Sequence, residues 1–104
     1  MYRQGDVLIV PCEKLNFAGA GLHEVPRENG RVILAHGEQT GHSHAIGAPA
    51  AVLFRNSFGA LFLHAPDGAT VEHEEHKALE LPSGDFSVTT QRRADPERTV
   101  RASD

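Results

Sequence analysis

Two histidine clusters, Gly41-His42-Ser43-His44 and His73-Glu74-Glu75-His76, hold four of the seven histidines of this 104-residue chain. Neutral imidazole is the commonest nitrogen ligand of zinc, copper, nickel and iron, whereas magnesium and calcium prefer all-oxygen sites. The clusters therefore point to a divalent transition metal, zinc first, with iron or nickel also suited, and with His42, His44, His73 and His76 as its ligands. Glu38, Glu74 and Glu75 stand nearby in sequence as carboxylate ligands or as acceptors for imidazole N–H groups. Three histidines would leave positions open for catalysis, and four would close the site. In the open case the ion polarises a carbonyl, activates water or binds dioxygen, with Glu74 or Glu75 as general base on a small polar substrate.

The spacing decides which elements must present these rings. In an extended segment His42 and His44 leave the same face, about 7 Å apart along the backbone. His73 and His76, three apart, share a side only at a turn or helical bend; along a continuous strand His76 would point away. The flanks are β-like and the spacing is one residue short of His-Glu-x-x-His, so the second cluster is not a metalloprotease helix.

The rest of the chain reads as all-β. Short apolar runs are broken by Gly, Pro, Asn and Asp, and no long window has helical periodicity. Strands are predicted at Val7–Pro11, Arg31–His36, His42–Ile46, Ala51–Arg55, Ala60–Ala65, Ala69–His73, Lys77–Leu81 and Asp85–Gln91. Eight such strands imply a small barrel or a two-sheet sandwich of short antiparallel strands. Asp67-Gly68 and Asn56-Ser57 read as hairpin turns, and Pro82-Ser83-Gly84 should reverse the chain. Residues 16–30 form the one long irregular connection, either a lid over a site or a mobile insertion, the second being the reading preferred. Strand alternation places Ala69, Val71 and His73 on one inward face, and His42, His44 and Ile46 on another. The same parity sets His36 behind Val32 and Leu34, and His64 behind Ala60 and Phe62, both expected as hydrogen-bonded core histidines. His23 is expected at the surface.

Composition bounds the function. Residues 1–91 form a single β domain and 92–104 a polar tail. The domain carries 6 Lys+Arg against 11 Asp+Glu, which argues against nucleic acid as its partner. The single cysteine, Cys12, excludes an intramolecular disulfide and fits a reducing cytoplasm; Met1 leads into Tyr-Arg-Gln-Gly-Asp with no apolar stretch, so neither a leader nor a membrane partner is expected. Cys12 reads as a buried strand-end thiol, and no serine lies in a nucleophile-elbow pattern. A non-catalytic interaction or homo-oligomerisation module is the alternative, and a pH sensor built on the same histidines is a third.

His42-Ser43-His44 and Pro82-Ser83-Gly84 resemble the two motifs of the cupins, small β-barrels whose first motif has His-x-His on a strand. In that pattern a glutamate ligand follows His-x-His, where this chain has Ala48 and Pro49, and a histidine follows Pro-x-Gly, where it has Ser87. The resemblance thus implies a cupin-like architecture with the remaining ligands supplied by His73 or His76. The string from Gly37 to His44, with His73–His76 and Leu81–Gly84, also looks like small uncharacterised bacterial proteins, a likeness that implies no activity.

Overall fold

The computed structural model describes residues 1–19, 21–37 and 41–91. Glu38 and the tail from Arg92 to Asp104, to which the sequence assigned roles, lie outside them. Ten strands follow in order: β1 Tyr2–Gln4, β2 Val7–Pro11, β3 His23–Glu24, β4 Val32–His36, β5 Ser43–Ile46, β6 Val52–Arg55, β7 Leu61–Ala65, β8 Ala69–Glu72, β9 Leu79–Leu81 and β10 Gly84–Thr90. All pair antiparallel, in one sheet of order β1-β2-β10-β7-β6-β3 and another of order β4-β5-β8-β9. No helix among the described residues is long and apolar enough to cross a membrane, which says nothing of β-barrels.

The two sheets share one apolar core, so of the two architectures expected the sandwich is the one formed, and the sheet does not close into a barrel. Val7, Ile9, Leu53, Leu63, Phe86 and Val88 face inward from the larger sheet, and Val32, Leu34, Ile46, Val71 and Leu81 from the smaller. The alternation along each strand is the cause: Leu63 and Ala65 of β7 are buried while Phe62 and His64, which alternate with them, are not. Each fully buried Leu, Ile, Val or Phe contributes about 1.5–3 kcal/mol relative to an exposed one.

The turns follow their residues. Gly5-Asp6 joins β1 to β2 between the paired Gln4 and Val7, with Gly5 at φ +60°, the first-position glycine of a two-residue hairpin. At Asp67-Gly68 a tight turn forms, with the Gly68 N–H donating to Ala65 O at 3.1 Å, but it carries the chain from β7 in the larger sheet to β8 in the smaller, so the hairpin expected there is not made. Asn56 Oδ1 accepts from the Phe58 and Ala60 N–H groups, each at 2.9 Å, and so builds the second predicted turn. Pro82-Ser83-Gly84 does more than reverse the chain, since it carries it from β9 in one sheet to β10 in the other.

The long connection between β2 and β4 is part of the fabric. It contributes β3 to the edge beside β6, and Arg27 spreads its guanidinium over the carbonyls of Gly30, Ala48, Pro49 and Ala51 at 2.6–3.2 Å. A planar fork with five donors suits such a group of carbonyls.

Two histidines depart from expectation. A bulge between Ile33 and Ala35 shifts the alternation of β4, so His36 pairs with Ser43 on the face away from Val32, and its side chain is 66 % exposed and meets Glu28 at 3.3 Å. His64 lies on the outer face of the larger sheet, because Leu63 and Ala65, and not Phe62, point to the core. There its Nδ1 meets Asp85 Oδ1 at 2.6 Å and Phe17 packs edge-on to its ring. Neither joins the other histidines inside. His23 is exposed, as expected, on β3.

Candidate metal centre

Three connections converge at one end of the sandwich: the β1–β2 turn, the segment entering β5 and the loop from β8 to β9. The first cluster is delivered by the β4–β5 connection, closed by Gly37 N–H donating to His42 O at 2.7 Å. A side chain at Gly37 would bring its Cβ to 2.9 Å from His42 Cβ, so the close approach requires glycine. His42 is half-buried at the strand entrance and His44 is 2 % exposed within β5, on the face shared with Ile46.

The second cluster begins where β8 ends at Glu72. Because His73-Glu74-Glu75-His76 bends instead of extending the strand, His76 returns to the side of His73. Their ring centroids are 4.5 Å apart. Across the gap His73 lies 4.4 Å from the His44 ring and 5.7 Å from that of His42, and His76 lies 5.9 Å from His44. All four predicted histidines thus form one cluster.

Donor atoms of His42, His73 and Glu74 all fall within 4.8 Å of one another. Glu74, at the surface, accepts the Ser43 N–H at 2.9 Å, and that bond holds its carboxyl below the usual range. Glu75 Oε2 stands 3.9 Å from His42 Nδ1, and its backbone N–H donates to His73 Nδ1 at 3.0 Å. A neutral His73 accepting there carries its proton on Nε2.

Three residues of this end escape a reading based on histidine spacing. Gln4, 3 % exposed, donates from Nε2 to Val71 O at 2.9 Å and to Lys77 O at 3.0 Å, while its Oε1 meets His44 Nδ1 at 2.8 Å. One side chain of the larger sheet therefore ties β8, the β8–β9 loop and the buried imidazole together. A Cβ on Gly5 would stand 2.7 Å from His76 Nε2, so this turn lies directly against the cluster. Asp6 Oδ1 is 3.9 Å from His44 Nε2. A Gly-Asp pair beside an apolar run is a hairpin signal that could have located the turn, but a single glutamine carries no mark of burial.

Burial, and next the neighbouring His73, push the His44 imidazole below its ordinary value, against a smaller opposing pull from Asp6. Its neutral form, the one a metal needs, is the favoured one. Beside the cluster opens a cleft of about 380 Å³ lined by Arg31, Glu72, His73, Glu74, His76 and Ala78.

On the opposite face His64 and Asp85 make a separate pair. Burial alone would raise the Asp85 carboxyl, but the Leu15 N–H at 2.8 Å and the His64 bond outweigh it and lower it. Cys12, half-buried nearby, has its thiol pushed up by burial and then by Asp85, which favours the unreactive form expected of it.

The family model described as "Domain of unknown function (DUF8820)" matches residues 3–91. The chain belongs to this family. The match spans β1 to β10, and so includes Gln4, Gly5, Asp6 and both histidine clusters of the DUF8820 domain. The comparisons with curated proteins and with solved structures each gave no match.

Proposed function

We propose that this protein is a small metalloprotein in which His42, His44, His73 and His76 surround a divalent transition ion, zinc first, with iron or nickel also suited. The observation that carries the reading is the approach of His42, His73 and Glu74 donor atoms to within 4.8 Å of one another. Ligands bound at about 2.0–2.2 Å stand roughly 3.0–3.5 Å apart, so the trio closes onto an ion by side-chain rotations of about an ångström. Coordination through His73 Nε2 moves the proton to Nδ1 and releases the Glu75 N–H. Glu74 serves as a ligand in this reading, since its lowered carboxyl is a poor base, and Glu75 is the residue left to act as base.

The cleft beside the ion supports an enzyme acting on a small polar substrate, with Arg31 available to orient an anionic group. A metal there would polarise a carbonyl or activate water. The cytoplasmic location expected from the single cysteine belongs to the same proposal.

The test is metal content of untagged protein, together with zinc and cobalt titrations of wild type and His42→Ala/His73→Ala. One equivalent per chain is expected in the wild type and none in the variant, which should melt within a few degrees of wild type in EDTA. Equal, weak binding by both proteins would refute the centre.

A further inference from the structure

The Gly5-Asp6 turn approaches the histidines from the larger sheet, opposite the strand and loop that carry them. What it meets there is set by the Gln4 amide. Backbone carbonyls only accept, so the Gln4 group facing Val71 O and Lys77 O, at 2.9 and 3.0 Å, must be its nitrogen. The amide oxygen is then the atom 2.8 Å from His44 Nδ1, and an oxygen that only accepts requires a proton on that nitrogen. In the neutral ring the lone pair is left on Nε2. Asp6 Oδ1 stands 3.9 Å from that nitrogen.

Two acceptors face each other here with no hydrogen to share, one of them on a ring that is 2 % exposed. Like partial charges at that distance repel, and a cation between them reverses the sign. The spacing exceeds that of two ligands on one ion by only about half an ångström, given bonds of 2.0–2.2 Å. Asp6 is half in solvent and sits on a two-residue turn, so its side chain is free to make that movement.

We propose that Asp6 is a carboxylate ligand of the metal centre, paired with His44 Nε2, and that Gln4 is the positioning residue that presents this nitrogen. The inference rests on the metal reading above and deepens it. The centre becomes a mixed imidazole and carboxylate site with donors from both sheets. Such a set suits zinc, iron(II), cobalt(II) or nickel(II) and disfavours copper(I), which prefers thiolate and thioether ligands. It also joins the β1–β2 hairpin to the smaller sheet through the ion, so that loading should stiffen the edge of the larger sheet.

Cobalt(II) is the probe, titrated into untagged full-length protein while its visible ligand-field bands are recorded. Asparagine keeps the turn chemistry of position 6, so Asp6→Asn should fold, as a melt in EDTA verifies. The expected result is at least a tenfold to hundredfold loss of cobalt affinity and a change in the band pattern, with Glu13→Gln, a carboxylate remote from the cluster, behaving as wild type. In the wild type, zinc should also shift the Asp6 side-chain carboxylate carbon resonance, a readout that needs no variant. Unchanged affinity and bands in Asp6→Asn, with an unmoved resonance in a wild type that binds zinc, would overturn the assignment of Asp6 while leaving the centre in place. A wild type that binds neither metal would overturn both.

Discussion

Replacing Gln4 with methionine tests whether the polar bridge between the sheets holds this end of the fold together. Methionine fills nearly the same volume and is unbranched, so packing changes little. What is lost is one acceptor for His44 Nδ1–H and two hydrogen bonds to the carbonyls of Val71 and Lys77. A buried donor left without a partner costs about 1–3 kcal/mol. The carbonyls cost less, since each keeps a second lone pair and that of Lys77 is only partly buried. Together the loss should be about 3 kcal/mol, or roughly 12–24 °C in Tm for a domain of this size. The assay is thermal and urea unfolding of metal-free protein in EDTA. In a His44→Phe background the same substitution should cost about 1 kcal/mol less, because the imidazole no longer needs its acceptor. A loss below about 1 kcal/mol in the wild-type background would mean that Gln4 is replaceable by any side chain of its size, and the tautomer argument would lose its footing.

Two further predictions concern the same end. Gly5→Ala faces both a positive φ and a Cβ 2.7 Å from His76 Nε2, whereas Gly21→Ala faces a similar φ of +64° with nothing within 4 Å. The strain common to both is about 1 kcal/mol, so Gly5→Ala should unfold more easily by a further ~1 kcal/mol, and equal melts would remove the contact from the argument. The pH dependence follows from the lowered His44: the folded state holds the neutral ring, so its contribution is complete above the unfolded value of about 6.5 and is lost as pH falls through the lower folded value. Urea unfolding in EDTA should therefore show stability falling from pH 8 toward pH 5, with a shallower slope in His44→Phe. Equal slopes in the two proteins would refute the shift. Asp85 and Glu74, both lowered, add a later loss as pH falls from about 4 through their folded values.

The eight other strands were legible because a half-buried strand writes its alternation into the sequence, and the same alternation put His44 on the face of Ile46; His42 and His73 lie just outside β5 and β8 and are only half-buried. β1 and β3 were not, since Tyr2-Arg3-Gln4 has no apolar alternation of the kind Leu79-Glu80-Leu81 shows and His23-Glu24 is too short to have any. The His73–His76 turn was legible as a condition: its spacing allowed a shared site only if the strand ended, and β8 ends at Glu72. His64 failed for a physical reason. Parity gives two faces and does not name the inner one, and on β7 the large Phe62 occupies the outer face, where the larger sheet is partly covered by Phe17 stacked on Phe54. Gln4 failed for another. Its partners lie 40, 67 and 73 residues away, and no local pattern announces a contact that only the packing of two sheets creates.

The burial of His44 is itself an argument for the centre. The face it shares with Ile46 is otherwise apolar, and a leucine there would need no partner, whereas an imidazole must be matched by a hydrogen bond or cost several kcal/mol. The chain meets that need with a second buried polar side chain, Gln4, which in turn satisfies one carbonyl of β8 and one of the β8–β9 loop. A fold selected for stability alone gains little from such a chain of dependencies, because replacing both partners of a buried hydrogen bond by apolar groups of the same shape is nearly neutral, although losing one partner alone is costly. What the arrangement does provide is one nitrogen lone pair, held in a fixed direction toward the gap that His73, His76 and Asp6 also border. Departures from apolar packing in a sound core are expected where function requires them, and here the departure presents a donor atom of the kind the proposed centre needs.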